Sequence, residues 1–287
     1  YEIVMPEGSM LVNVAAILDE NGCKTVAFED VTLSVADLER MKKGFVGKEL
    51  VPGASKLADG LRLFKDEEEI EKIKKAQAIT DAGFAHMLEW LAPNVTEIEA
   101  ALELEFFMRR MGSEGIAFDT IAVSGSASSL PHGVPRNVKI EKGFFTFDFG
   151  AKFDGYCSDM TRTGVVGRAD ADMKKLYNTV LQAQLAGLEY IKEGAFCREA
   201  DTVARTIINN AGYEGRFGHS LGHGVGMYIH ENPRLSFGAG ENDVLAPGHV
   251  VTAEPGIYIE GKYGCRIEDM VAVCNDGSIR NFTKSPK

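Results

Sequence analysis

The stretch FFTFDFGAKFDGYCSDMTRTGVV, residues 144–166, constrains the fold of this chain more than any other. Apolar residues alternate on both sides of Asp154-Gly155, a pair that favours the two-residue turn of a tight β-hairpin. With the turn there, facing residues have numbers that sum to 309, so Asp159 faces Gly150. Asp148 lies two places from Gly150 and shares its face, which makes the two aspartates diagonal neighbours. Two solvated aspartates on an open hairpin are the ordinary alternative. Both sit among apolar strand residues, however, where an unpaired buried carboxylate is costly, and this favours metal ligands.

A second hairpin, HVVTAEPGIYIEGKYGCRIEDMVAV (249–273), turns about Gly261 and sets Glu254 opposite Glu268. Like charges facing across a ladder destabilise it unless a cation lies between them. A solvated pair on an exposed sheet face is again the alternative, weakened by the apolar residues around both glutamates.

The segment HSLGHGVGMYIHENP (219–233) carries His219, His223 and His230. A helix would align all three, but Gly222, Gly224 and Gly226 each cost it about 1 kcal/mol relative to alanine. In an ideal strand, 223 and 230 have opposite parity and face opposite ways. A shared site therefore needs a bend or bulge, which the glycines permit. Ser220 stands where the His-Glu-x-x-His motif requires glutamate, so that motif is excluded. His132 falls in the Pro/Gly loop SSLPHGVP (128–135), while His86 and His249 read as structural.

Around these segments, RLFKDEEEIEKIKKA opens a long helix, with Asp66 to Glu69 in its first turn and an apolar stripe of Ile70, Ile73, Phe84, Met87 and Leu91. Thr96 and Glu99 form a capping box that starts a helix running to about Gly112. Helices are also predicted over 171–193 and 198–211, with strands between and after them. Helices and antiparallel strands in two rough rounds predict an α+β domain over 62–287. Residues 1–61 read as strand (24–29), helix (34–44) and strand (48–52), the end of a small α/β domain whose first part lies upstream.

Acidic residues number 42 against 31 basic, and the net charge of −11 repels phosphate backbones, which argues against nucleic acid as a partner. No apolar run approaches membrane-spanning length, so no membrane partner is expected. The five cysteines (Cys23, Cys157, Cys197, Cys265, Cys274) are odd in number, scattered and without a Cys-x-x-Cys pair. They argue against a disulfide framework or thiolate zinc site and fit a reducing cytoplasm. Four carboxylates with one histidine are too oxygen-rich for structural zinc. They suit two divalent ions, Mn²⁺ first, with Co²⁺ or Zn²⁺ as alternatives. A hydroxide bridging two such ions is a nucleophile at neutral pH, able to attack a scissile carbonyl that the ions polarise.

Taken together, these residues resemble the pita-bread metallopeptidases, the family of methionine aminopeptidase, aminopeptidase P and prolidase. The match covers residues 62 to 287: Asp148, Asp159, His223 in GHGVG, Glu254 in EPG and Glu268 in RIED follow in the family's order. The resemblance implies a pita-bread α+β catalytic domain with an antiparallel sheet and flanking helices. It implies that Asp148 chelates one metal, that His223 and Glu254 hold the other, and that Asp159 and Glu268 bridge them. His132 and His230 match substrate-side catalytic histidines that steady the carbonyl and the tetrahedral intermediate, with Glu254 catalytic as well as a ligand. His219 matches a histidine lining the substrate pocket, and Tyr258 and Arg266 match groups just outside the metal ligands, where an arginine orients a carboxylate. Arg234, after HENP, is a candidate for a substrate carboxylate or carbonyl, or simply an exposed loop arginine.

LPHG, HENP and the short Glu254-to-Glu268 spacing resemble the Xaa-Pro branch, whose members act on short proline-containing peptides, often as homodimers. The implied activity is hydrolysis of the Xaa-Pro bond at the peptide N-terminus, by an Xaa-Pro aminopeptidase or dipeptidase. A methionine-aminopeptidase-like enzyme, a metal-free creatinase-like hydrolase and a non-catalytic peptide-binding relative are the alternatives. Retention of all five ligands opposes the last two.

Overall fold

The computed structural model describes residues 3–287. The chain forms two compact units, divided between Arg62 and Leu63. The first contains helix α1 (Met10–Glu20), strand β1 (Thr25–Phe28), helix α2 (Val35–Gly44), strand β2 (Glu49–Pro52) and helix α3 (Ala54–Arg62). Strands β1 and β2 pair in parallel, Thr25 with Glu49 through Phe28 with Pro52. Ser34 caps α2 by accepting the Asp37 amide. Helices α1 and α3 were not expected. In α1 no residue is buried, and Ser9 at its start makes no side-chain capping hydrogen bond.

The second unit begins with two packed helices, α4 (Glu67–Trp90) and α5 (Glu97–Arg110). Both start at reciprocal capping boxes, Asp66 with Glu69 and Thr96 with Glu99. Strands β3 (Gly115–Ile116), β4 (Ile121–Ser124), β5 (Gly143–Phe149), β6 (Ala151–Phe153), β7 (Tyr156–Cys157) and β8 (Met160–Val166) follow. They form two antiparallel sheets, β4-β5-β8 and β3-β6-β7. A second helix pair, α6 (Ala171–Tyr190) and α7 (Cys197–Ile208), leads into β9 (Gly222–Gly224), β10 (Glu231–Leu235), β11 (Val250–Ala253), β12 (Gly256–Ile259), β13 (Tyr263–Arg266), β14 (Asp269–Val273) and β15 (Ile279–Asn281). These strands form the antiparallel sheet β10-β9-β11-β14-β15 and the pair β12-β13.

Each helix pair covers one face of its strands. Met87, Leu104 and Met108 pack on Phe145, Phe147 and Phe149 of β5, while Leu176, Val180, Ala204 and Ile208 pack on Val251, Ile257, Cys265 and Val271. Strand side chains alternate, so residues between these apolar ones turn to the face the helices leave open. Asp148, between Phe147 and Phe149, is one of them. Among the described residues no helix is long and apolar enough to cross a membrane, and all five cysteines are free thiols.

Candidate metal centre and its cleft

Both aspartates are placed by one hairpin. Asp154 and Gly155 have positive φ angles of 47° and 81°, as a primed turn requires. Pairing on either side follows the sum of 309: Phe149 faces Met160 and Asp148 faces Thr161. Between β5 and β6 the chain bends at Gly150, and between β7 and β8 it bends at Ser158-Asp159. The two bends are locked together. Ala151 N–H donates to the hydroxyls of Thr80 (3.0 Å) and Ser158 (2.9 Å), which are themselves 2.7 Å apart.

The glutamate hairpin also keeps one register, with Ala253 facing Asp269 in one sheet and Gly256 facing Arg266 in the other. Glu254 and Glu268 lie where regular pairing lapses between these sheets. Their freed amides go elsewhere: Glu254 N–H donates to the Leu221 carbonyl (2.7 Å) and Glu268 N–H to the Thr161 carbonyl (3.1 Å). One glutamate is thereby tied to the histidine segment and the other to the aspartate hairpin.

No helix runs through 219–230. His223 sits in β9, its amide held by Thr252 Oγ1 at 3.1 Å, and the β9–β10 ladder is interrupted between Glu231 and Arg234. The irregularity carries His230 back over His223, ring centroids 4.4 Å apart and edge to face. His223 Nδ1 faces the Gly224 carbonyl at 3.0 Å, which assigns its proton there. Nε2 is left 3.3 Å from Glu254 Oε1 and 3.6 Å from Asp159 Oδ2.

Ligand-type atoms of Asp159, His223 and Glu268 all lie within 4.8 Å of one another. Asp148 joins them through Arg266, which donates to Asp148 Oδ2 (2.5 Å), Tyr258 Oη (2.6 Å) and Thr161 Oγ1 (3.0 Å). Thr161 in turn donates to Glu268 Oε2 at 2.7 Å. Asp148 Oδ1 and Glu268 Oε1 are buried without a hydrogen-bond partner among the described residues. Burial, then the charges of Glu268, Asp148 and Glu254, pushes Asp159 well above the ordinary carboxylate range. Burial and the Glu254 and Asp148 charges do the same to Glu268, and burial raises Asp148 despite Arg266. Burial would raise Glu254 too, but the His223 ring beside it draws it down to about 2. Carboxylates crowded against their own repulsion, two with orphaned oxygens, fit a pair of divalent cations.

The centre lines a cleft of about 580 Å³, together with His132, His219, His230, Arg234 and Arg266. Burial, followed by the His223 and Arg234 charges, lowers His230 to about 4, leaving its ring neutral at physiological pH. His219 is lowered chiefly by burial; its Nε2 meets Tyr258 Oη at 2.8 Å. Tyr258 itself does not line the cleft, standing behind His219 and Arg266. Thr161 and Thr252, which steady Glu268 and His223, escaped the sequence. Thr161 shares the strand parity of Asp159, two residues away, and that was the one available signal.

The model of metallopeptidase family M24 matches residues 71–275. A protein named Xaa-Pro dipeptidase from Pyrococcus horikoshii is 39% identical over 293 aligned positions, covering all of this chain and 82% of the relative. Among solved structures, an Xaa-Pro dipeptidase from Bacillus anthracis superposes with a TM-score of 0.95 at 46% identity, covering 100% of this chain and 80% of that one. An X-Pro aminopeptidase from Thermotoga maritima gives a TM-score of 0.90 at 37% identity, covering 98% and 79%.

Proposed function

The chain belongs to metallopeptidase family M24, a metal-dependent family of hydrolases with the pita-bread α+β fold, and from that premise we propose that it releases the first residue of short Xaa-Pro peptides. The observation that carries this reading is the gathering of Asp148, Asp159, His223, Glu254 and Glu268 at the floor of a cleft that also presents His132, His230 and Arg234. Asp148, Asp159, His223, Glu254 and Glu268 would hold two divalent ions. Mn²⁺ suits the oxygen-rich set best. Bound there, the ions supply Lewis acidity and an ionised water.

The chain's own groups do the rest. Arg266 fixes the orientation of Asp148, and Tyr258 holds both Arg266 and His219. Neutral His230, with His132, donates to the carbonyl oxygen as it gains charge. Glu254, 3.3 Å from His223 Nε2 at the cleft, is placed to hold a proton and pass it to the leaving nitrogen. Arg234 has no ion-pair partner among the described residues and is free to take a substrate carboxylate, which favours dipeptides. Its neighbours in the family include both dipeptidases and an aminopeptidase by name, so length preference is the open choice.

The test compares Ala-Pro, Ala-Pro-Phe and Met-Ala-Ser with Mn²⁺ present. Cleavage after Ala in the proline peptides, with Met-Ala-Ser spared, is the expected result. Efficient turnover of Met-Ala-Ser would overturn the Xaa-Pro assignment, and faster turnover of Ala-Pro-Phe than Ala-Pro would make the enzyme an aminopeptidase. We further propose a cytoplasmic homodimer, with the first unit as a small α/β element of its own.

A further inference from the structure

Two ion pairs outside the cleft, Lys65–Glu231 buried and Asp201–Arg205 partly so, grip the two ends of the histidine segment. At one end, Asp201 and Arg205 lie one turn apart on α7, with Arg205 Nε 2.7 Å from Asp201 Oδ2. The rest of the pair is spent on the backbone leading into the cleft. Arg205 donates to the carbonyls of Phe217 (2.7 Å) and His219 (2.8 Å), and Asp201 Oδ1 accepts the Leu221 amide at 2.9 Å. The Arg205 guanidinium also lies 4.3 Å from the Phe217 ring centroid, and Phe217 meets the His219 ring edge to face at 5.0 Å.

At the other end, Lys65 Nζ lies 2.8 Å from Glu231 Oε2, both side chains almost wholly buried. Glu231 Oε1 accepts the Tyr228 amide at 3.0 Å, closing the turn that ends at His230. The Lys65 amide donates to the Gly248 carbonyl at 2.8 Å, so the lysine is itself fixed. A Cβ at Gly226 would lie 2.5 Å from Glu231 Oε2 and 2.8 Å from Lys65 Cε, so the turn closes directly onto the pair.

Neither pair lines the cleft, and between them lies the glycine-rich stretch that carries His223. We propose that Asp201–Arg205 and Lys65–Glu231 are positioning residues for the peptidase reaction, the first pair acting through His219 and the second through His230. The proposal rests on the Xaa-Pro peptidase reading. Ion pairs of this kind add little stability over apolar packing; here their remaining hydrogen-bonding atoms hold the backbone of Phe217, His219, Leu221 and Tyr228.

A crossed set of double-mutant cycles on kcat/KM for Ala-Pro tests it. Arg205→Lys and Glu231→Gln should each lower kcat/KM by about ten- to a hundredfold, the cost of small misplacements in a site. In the His219→Ala background the Arg205→Lys loss should shrink to less than about twofold, while in His230→Ala it persists in full. Glu231→Gln should show the reverse pattern. A merely structural role would give additive losses in all four combinations, which overturns the proposal, as does wild-type kcat/KM in both single variants. If Arg205→Lys fails to fold, Asp201→Asn takes its place, since it keeps the oxygen that holds Leu221. Wild-type cleavage of Ala-Pro is the control: its absence overturns the peptidase reading and the anchors with it, whereas additivity in an active enzyme overturns the anchors alone.

Discussion

Asp159 is 4% exposed and faces three other carboxylates, and this environment sets its behaviour with and without metal. A carboxyl whose folded pKa is raised binds its proton more tightly in the native state. Its stabilising effect is complete below the unfolded value, near about 4, and is lost as pH rises through the folded one. Asp159, Glu268 and Asp148 are all raised, so the contribution of these three carboxyls to the stability of the metal-free protein should fall as pH climbs from about 4 toward neutrality, against the opposite contribution of His219 and His230, whose values are lowered. Divalent ion should flatten that trend. Asp159→Asn removes one of the repelling charges. It should therefore melt higher than wild type in chelator at neutral pH, yet gain nothing from Mn²⁺ and lose about a hundredfold or more in kcat/KM. Melting curves against pH, with and without chelator, check the first part and turnover checks the second. Near wild-type turnover would remove Asp159 from the centre. At this scale much was legible, because carboxylates set among apolar residues signal themselves. The division among the histidines followed from the family resemblance and not from their spacing. It depends on a ladder irregularity between Glu231 and Arg234 and on hydrogen bonds to Gly224 and Tyr258.

Among the elements, the aspartate hairpin was the most readable, because Asp154-Gly155 fixes the turn and the turn fixes every pair from Phe153–Tyr156 to Gly143–Val166. The glutamate hairpin kept its register too, but its division between two sheets was invisible, since each half is paid for by contacts with segments far away in sequence. Helices α4 and α5 announced themselves by caps and stripes, whereas α1, with nothing buried, did not. The bend between β5 and β6 offers a test of how closely the hairpin is fitted. A Cβ on Gly150 would lie 1.9 Å from the Ser158 carbonyl oxygen, backbone that cannot yield without moving Asp159 beside it. Gly150→Ala should cost about 1–3 kcal/mol in stability and weaken divalent binding by about ten- to a hundredfold. Gly164→Ala, on β8 with nothing within 4 Å of its added Cβ, is the matched control and should stay within about 0.5 kcal/mol of wild type. Calorimetric Mn²⁺ titration of both variants decides the matter, and unchanged affinity in Gly150→Ala would show that the hairpin tolerates a wider bend.

For the molecule as a whole, the centre joins parts that sequence separates widely. Asp148 comes from the strands that follow the first helix pair, and His223, Glu254 and Glu268 from those that follow the second. Metal bound between them would tie the two halves of the second unit together, and would do so only in the folded chain. Ligation to the native state alone stabilises by about 2.7 kcal/mol per site at a hundredfold excess over the dissociation constant. Chelation should therefore lower the melting temperature of the second unit, and Mn²⁺ should restore it in proportion to the logarithm of its concentration. The first unit carries none of the five ligands, so a transition belonging to it should not move with metal. Two-transition calorimetry of the whole chain separates these outcomes. Identical melting in chelator and in Mn²⁺ would mean that the five side chains do not act together as a metal site. A shift in both transitions would mean that the stability of the first unit depends on metal held by the second.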